Sequence, residues 1–316
     1  MKYAYLLSLP IWLLCFAFAQ DAKPSVAHVM PIFRPDAQPP VPEIFYAGGP
    51  VMSGPTNVYV VFYGDWPDAS INIVNGYLPH LGGTGFYKVN TVYSDLTGAH
   101  VQNIVNYDPL TNSIHDNYSL GKVLTDADIQ TIVSNAISSG LLPNDEANGV
   151  YFVLTAADVT ESLPGVGTFC TGYCGYHAPS TSILPNEIFK YSFVGNPAQC
   201  PNACDFNISH FKDTATPNGD VGGDGTVNVI FHELSETVSD PEVLFRLNGG
   251  AWGATVSPES ADLCFLNFGA TKIAANGAHY NETINNTHYL IQELFKVPNR
   301  LRFGGFYFGT CKKMIK

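Results

Sequence analysis

The stretch Thr226-Val-Asn-Val-Ile-Phe-His-Glu-Leu-Ser-Glu-Thr-Val238 is predicted to be a helix that packs on a sheet. His232 and Glu236 lie one helical turn apart and share a polar face. The apolar side chains recur at helical spacing and form a stripe on roughly the opposite side: Val227, Ile230, Phe231, Leu234 and Val238. One face of this helix is therefore expected to anchor it, while the other lines a cleft.

Apolar, β-branched runs elsewhere in the chain predict the sheet. Residues 57–63 and 149–155 are predicted to be buried strands, and residues 187–194 a third. Thr125-Asp-Ala-Asp128 has the residues of a helix N-terminus and opens a helix that runs to about residue 139. Because helices alternate with strands, we expect an α/β fold with a mixed sheet.

The pentapeptide from His232 to Glu236 resembles the zinc-protease signature His-Glu-x-x-His, with glutamate in place of the second histidine. In this interpretation His232 and Glu236 bind a metal ion, together with Glu259 or Asp262 downstream. Glu233 is then the general base. Zinc is the expected metal, with calcium or manganese as alternatives because a carboxylate ligand favours harder cations.

Two further residues are weaker candidates for this site. His177 follows Cys174 in a predicted disulfide-stapled loop and is an outside candidate for the cleft. Asp240 precedes a proline that ends the helix, and solvation is its simplest role. The alternative to a metal site is that His232 and Glu236 are merely a solvent-facing pair.

The N-terminus has the features of an exported protein. Residues 1–19 are predicted to be a signal peptide, with an apolar run and the small-x-small pattern Ala17-Phe-Ala19. Residues 20–43 form a proline-rich leader or pro-segment, and residues 44–316 form the domain. No later segment is apolar enough to predict a membrane span.

Cysteine usage agrees with export. The signal removes Cys15 of the seven cysteines, and the remaining even number favours disulfides in an oxidising compartment. The sequence alone does not choose among the alternative pairings. Our expected pairing links the cysteines of the segment Cys170-x-x-x-Cys174 to those of the segment Cys200-x-x-x-Cys204. It also joins Cys264 to Cys311.

The net charge and the glycosylation motifs indicate which classes of partner the protein binds. The net charge of −12 has no basic stretch to offset it, which argues against binding nucleic acid. Sequons that would mark surface positions for glycosylation occur at Asn117, Asn207, Asn281 and Asn285. The expected partner is an extracellular peptide or a cell-wall component.

Several blocks in order resemble the phosphate-induced, EXORDIUM-like family of exported plant proteins. They are the strand at residues 57–66, Phe169-Cys-x-x-x-Cys-Gly-x-His177, the block at 194–204, the loop Pro217–Gly225, the helix, and Glu259-x-x-Asp-Leu-Cys264. The resemblance implies an extracellular, wall-associated protein whose biochemical activity is poorly defined.

We therefore expect one disulfide-braced α/β domain with a mixed sheet and packed helices, zincin-like in layout. The leading hypothesis is a secreted metal-dependent hydrolase, peptidase-like in type. The alternative is a non-catalytic, glycosylated wall or matrix protein that signals or binds carbohydrate, with a structural or vestigial site.

Overall fold

In a computed structural model, the described residues are 27–32, 43–243, 250–253, 258–298, 302–303 and 306–314. The predicted signal peptide and most of the predicted leader lie outside them. Within these ranges, no helix combines the length and the apolar character that a bilayer crossing requires.

Short strands and a few helices make up the described chain. The strands are β1 (His28–Pro31), β2 (Glu43–Phe45), β3 (Thr56–Tyr63), β4 (Val105–Asn106), β5 (Ser113–Asp116), β6 (Val123–Thr125), β7 (Gly149–Thr155), β8 (Thr160–Leu163), β9 (Gly167–Thr168), β10 (Tyr173–Ser180), β11 (Phe189–Gly195), β12 (Lys272–Ile273), β13 (His279–Tyr280), β14 (Glu282–Ile284), β15 (Thr287–Tyr289), β16 (Leu294–Lys296), β17 (Arg302–Phe303), β18 (Phe306–Phe308) and β19 (Thr310–Lys312). The α-helices are α1 (Asp68–Leu81), α2 (Asp126–Ser138), α3 (Pro201–Cys204) and α4 (Val221–Ser239). Short 3-10 turns cover Tyr87–Val92, Pro197–Gln199 and Asp262–Cys264, and a π-helical turn covers Asn207–Phe211.

The main sheet has the strand order β1-β10-β11-β7-β3-β4, and β5 also pairs with β3. The central strands β11, β7 and β3 run parallel, whereas β10 is antiparallel to β11 and β1 is antiparallel to β10. All seven residues of β7 are buried, as expected for a parallel strand covered on both faces. The prediction of a mixed α/β sheet is confirmed.

Helices cover both faces of this sheet. The hydroxyl of Tyr176 in β10 donates to Asp126 of α2 at 3.0 Å, while the next residue, His177, has its Nδ1 3.2 Å from Glu233 of α4. Because neighbouring residues of a strand point to opposite faces, α2 and α4 lie on opposite sides of the sheet. The face that carries α4 is the one on which the candidate site forms.

Helix α4 begins at Val221, inside the predicted glycine-rich loop. Asp220 caps it by accepting a hydrogen bond from the backbone N–H of Gly223 at 2.9 Å. A Cβ atom at Gly225 would lie 2.9 Å from Cβ of Pro197, so glycine here permits close packing of the helix. The residues from Gly222 to Ser239 are all buried, so the predicted polar face points into the protein rather than into solvent.

Part of the predicted leader belongs to the sheet. Residues 28–31 form the edge strand β1, and Met30 in this strand is 0% exposed. His177 lies within strand β10 rather than in a loop. The predicted leader boundary between residues 43 and 44 also falls inside β2. Strand β1 is not predictable from the sequence, because so short an edge strand has too few residues for a periodic pattern.

Three disulfides brace the domain in the expected pairing. Cys170 is joined to Cys200, and Cys174 to Cys204, which ties the start of β10 to α3 and the turn before it. The third disulfide, between Cys264 and Cys311, ties the 3-10 turn that begins at Asp262 to β19. These bonds are typical of an oxidising compartment and are consistent with an extracellular protein.

Candidate functional site

Helix α4 presents the three ionisable side chains of the His232–Glu236 motif to the interior. His232 and Glu236 lie one turn apart, with His232 Nε2 3.3 Å from Glu236 Oε2. Glu233 points toward the sheet edge, where its Oε1 accepts a hydrogen bond from the backbone N–H of Met30 at 3.2 Å. Its Oε2 lies 3.2 Å from His177 Nδ1. The motif thus places two groups at one centre and the third beside it.

The short segment that carries Glu259 and Asp262 packs against this helix. Glu236 holds the segment in place, because its Oε1 accepts the backbone N–H groups of Ala261 at 3.1 Å and Asp262 at 2.9 Å. As a result, Asp262 Oδ1 lies 3.5 Å from His232 Nε2. The structure therefore brings the predicted downstream carboxylates to the predicted metal helix.

Two histidines from the sheet complete the arrangement. His177 Nε2 lies 3.6 Å from Glu259 Oε2. His28 Nδ1 lies 2.7 Å from Glu259 Oε2 and 3.5 Å from Glu236 Oε2, and its Nε2 lies 3.6 Å from Asp262 Oδ2. We call these residues the His/carboxylate cluster: His28, His177, His232, Glu236, Glu259 and Asp262.

The atoms of the cluster that face one another make no hydrogen bonds within the described residues. They are His28 Nδ1, His177 Nε2, His232 Nε2, Glu236 Oε2, Glu259 Oε1 and Oε2, and Asp262 Oδ1. The side chains of His28 and Asp262 are 20% and 14% exposed, and the other members are at most 1% exposed. A buried polar atom without a partner costs about 1–3 kcal/mol. Several such atoms therefore converge on one centre, as the ligand atoms of a metal site do.

Hydrogen bonds on the outer side of the rings fix their orientation. His232 Nδ1 lies 3.1 Å from Gln292 Oε1, and Gln292 Nε2 donates to the carbonyl of Ala261 at 2.8 Å. Gln292 Oε1 must therefore accept from His232 Nδ1, and in the neutral imidazole Nε2 then carries no proton and is directed at the cluster. The contact between His177 Nδ1 and Glu233 has the same effect on His177. Metal-binding histidines are commonly oriented in this way.

Burial and mutual contact shift the protonation of the cluster. Burial raises the pKa of Glu259 well above its ordinary value and lowers the pKa of His177 to about 3. Burial also acts to lower the pKa of His232, but Glu236 and Asp262 outweigh it and raise that pKa well above its ordinary value. Burial acts to raise the pKa of Glu236, but His232 holds it well below its ordinary value. The ion pairs of the cluster within the described residues are all between histidines and carboxylates.

This donor set fits a divalent cation. Two triads of donor atoms share Glu236, each with its atoms within 4.8 Å of one another: His28, Glu236 and Asp262 in one, and His177, Glu236 and Glu259 in the other. Ligands of tetrahedral zinc, at bonds of about 2.0–2.1 Å, lie about 3.3 Å apart. The separations of His232 Nε2 from Glu236 and Asp262, 3.3 and 3.5 Å, are close to that value. A cation would also offset the excess of buried carboxylate charge.

The remaining predicted residue, Asp240, belongs to neither triad of donor atoms, but its carboxylate interacts electrostatically with those of Glu236 and Glu259. It ends α4, is 0% exposed, and its Oδ1 accepts the backbone N–H of Ala251 at 2.6 Å. Burial raises its pKa to about 7. The prediction that Asp240 is solvated is therefore wrong. His28 is the member of the cluster that sequence analysis missed, because it lies in the proline-rich leader with no motif around it.

The four sequons differ in their surroundings. Asn117 and Asn285 are exposed. Asn207 is 3% exposed, and its Nδ2 donates to Asp213 at 2.9 Å and to a backbone carbonyl at 2.8 Å. Nδ2 of Asn281 likewise donates to two backbone carbonyls, at 2.7 and 2.6 Å. The expectation that every sequon marks a surface position is wrong for Asn207, since a glycan is attached through the same nitrogen.

Most of this site lies in the part of the chain that matches a known protein family. Residues 44–300 match the family described as "Phosphate-induced protein 1 conserved region", a range that includes every cluster residue except His28. Protein EXORDIUM-like 3 of Arabidopsis thaliana is 31% identical over 280 residues, which cover 79% of each chain. Protein EXORDIUM-like 5 of the same plant is 32% identical over 242 residues, covering 69% of this chain and 63% of that protein. Protein EXORDIUM is 28% identical over 222 residues, covering 62% and 65%. No solved structure matches the chain.

Proposed function

The chain belongs to the phosphate-induced protein 1 family, and we propose that it is a secreted, metal-dependent hydrolase of the peptidase type. The proposal takes the layout of α4 on its sheet to be zincin-like. The observation that carries it is the convergence, on one buried centre beside Glu233, of imidazole and carboxylate atoms that make no hydrogen bonds within the described residues.

The proposed metal ligands come from the cluster. His232, Glu236 and Asp262 would hold a cation at one end, with His177 and Glu259 able to contribute at the other. Imidazole nitrogens suit zinc, whereas the number of carboxylates keeps manganese and calcium as alternatives.

Glu233 has the position of a general base rather than of a ligand. A bound cation would polarise a peptide carbonyl and lower the pKa of a water molecule. Glu233 would accept the proton of the attacking water as its oxygen adds to the carbonyl carbon. The same carboxyl would then give that proton to the amine nitrogen as the C–N bond breaks. His177, 3.2 Å from Glu233 Oε2, would hold this carboxylate in place.

One observation favours the non-catalytic alternative, an extracellular wall or matrix protein with a structural ion such as calcium. Both oxygens of Glu233 already have partners, Met30 N–H and His177 Nδ1. A base that is permanently occupied in this way does no chemistry, and the ion would then serve only to stabilise the fold.

The replacement Glu233→Gln separates these functions. The protein as secreted would be assayed for bound metal and for cleavage of a peptide mixture, followed by mass spectrometry. We expect Glu233→Gln to keep the metal and the melting temperature but to lose hydrolysis about 100-fold or more. Glu161→Gln, at a buried carboxylate on the other face of the sheet, is the matched control. Bound metal without hydrolysis in the parent chain would identify the structural alternative.

A further inference from the structure

Strand β10 has an edge that only β1 covers within the described residues. Its other neighbour in the sheet is β11. The contact with β1 is short and antiparallel, and it aligns His28 with His177 and Met30 with Gly175. Without β1, the backbone N–H and C=O groups along this edge would be free to pair with another extended chain.

The covering segment lies directly over the candidate chemistry. The backbone N–H of Met30 donates to Glu233 Oε1 at 3.2 Å, which engages the proposed general base. Two residues earlier, His28 Nδ1 lies 2.7 Å from Glu259 Oε2. His28 is also the most exposed member of the cluster, at 20%, so β1 lies on the side from which solvent reaches the site.

Strand β1 also places one apolar side chain, that of Met30, in a buried position. Residues two apart on a strand share a face, so Met30 points to the same side as His28. Met30 is fully buried and belongs to the hydrophobic core, whereas Val29 between them is only partly buried. A chain that took the place of β1 would therefore need a buried apolar residue at the Met30 position.

Strand β1 and the rest of the candidate site come from different parts of the chain. Residues 28–31 precede the region that matches the family, whereas the other five cluster residues lie inside it. The region that matches the family therefore supplies the cluster residues of α4, β10 and the 259–262 segment, whereas β1 lies outside that region.

We propose that residues 27–32 are a built-in occupant of a peptide-binding groove along the edge of β10. The ligand of this groove is an extended peptide that replaces β1, runs antiparallel to β10, and places an apolar side chain in the Met30 position. Its backbone then passes over Glu233 and the cluster. This inference names the substrate class of the proposed hydrolase, and it rests on that function for the cleavage step alone.

A charge placed at Met30 tests the inference in the full chain. Met30→Asp puts a carboxylate in a fully buried apolar position and should expel β1. Val29→Asp, one residue away on the other face, is the matched control. The probe is a fluorescent peptide with the sequence of residues 27–32, followed by anisotropy. We expect Met30→Asp to bind it at least tenfold more tightly than the parent or Val29→Asp, and to hydrolyse a peptide mixture at least tenfold faster.

A second preparation guards against misfolding of that variant. Residues 35–40 are replaced by the recognition sequence of a specific protease, and the chain is cut after it has folded. Cleavage should allow the labelled peptide to exchange into the groove, and an excess of that peptide should inhibit hydrolysis. A peptide with aspartate at the Met30 position should do neither.

The outcomes separate this inference from the proposed function. Peptide uptake without metal or hydrolysis would support the groove and overturn the hydrolase. Metal-dependent hydrolysis that depends on Glu233 but is unchanged by Met30→Asp and by cleavage, with no peptide uptake, would overturn the groove and leave the hydrolase. Uptake together with faster hydrolysis supports both.

Discussion

Replacement of Glu259 by glutamine distinguishes a metal site from a polar core, because its effect on the free energy of unfolding should differ with and without metal. Glu259 is 0% exposed and neither carboxylate oxygen has a hydrogen-bond partner within the described residues. Its nearest cluster atoms are His28 Nδ1 at 2.7 Å and His177 Nε2 at 3.6 Å. In metal-free protein the carboxylate is unfavourably buried, and burial raises its pKa. We expect Glu259→Gln to raise the free energy of unfolding of chelated protein by about 1 kcal/mol or more.

With metal present this gain is offset by weaker binding of the cation. A cation at 100 times its dissociation constant stabilises the folded state by about 2.7 kcal/mol. If Glu259→Gln weakens binding about tenfold, the stabilisation falls to about 1.4 kcal/mol. This loss of about 1.3 kcal/mol offsets the gain of about 1 kcal/mol, so the variant should melt above the parent with chelator but not with zinc. The difference between the two conditions corresponds to about 2 °C in melting temperature.

The assay is thermal unfolding of parent and variant, each with chelator and with added zinc. Glu161→Gln is the control, because Glu161 is 2% exposed but accepts hydrogen bonds from Tyr173 and Tyr176 at 2.5 and 3.2 Å. Its effect should be the same in both conditions. Equal shifts for Glu259→Gln with and without metal would refute the reasoning.

Three further predictions concern other parts of the chain. Burial raises the pKa of Glu161 to about 8, against 4.5 for an ordinary glutamate, so the stability that Glu161 contributes is complete below pH 4.5 and is lost as the pH rises through 8. Urea unfolding across this range should show the free energy of unfolding decline with pH, and Glu161→Gln should flatten that dependence. In a glycosylating host, peptide mapping should find glycan on Asn117 and none on Asn207, whose Nδ2 is already bonded; full occupancy of Asn207 in folded protein would contradict the structure. Gly225→Val should lower the unfolding free energy by about 1–3 kcal/mol, because its Cβ would press on Pro197 at 2.9 Å; an unchanged melting temperature would show that the helix shifts freely.

Strong local patterns made much of the fold predictable from the sequence. Strands β3 and β7 are buried apolar runs. Helix α2 begins at the predicted N-terminal residues Thr125-Asp-Ala-Asp128, where the structure shows a capping box with Asp128 Oδ2 2.8 Å from the backbone nitrogen of Thr125. The start of α4 was predicted too late because glycine usually ends or interrupts a helix. Here Gly222 and Gly225 are needed for close packing against Asn196 and Pro197, which is a tertiary requirement that the local sequence does not display.

The candidate site was predictable only in part, for a similar reason. Glu233 and its neighbours form a pattern within one helix, and Glu259 and Asp262 are acidic residues that follow this helix in the sequence. His28 joins them through the pairing of β1 with β10, which bridges about half of the chain and depends on sheet register. No spacing in the sequence encodes such a contact.

Titration of purified, chelator-stripped protein with zinc, manganese and calcium tests the central claim most directly. We predict that at least one of these ions binds stoichiometrically, with binding weakened tenfold or more by Glu236→Gln, because Glu236 is shared by both triads. Glu161→Gln should leave the binding unchanged. A folded protein that binds none of the three ions, or binds them equally well after Glu236→Gln, would contradict the account.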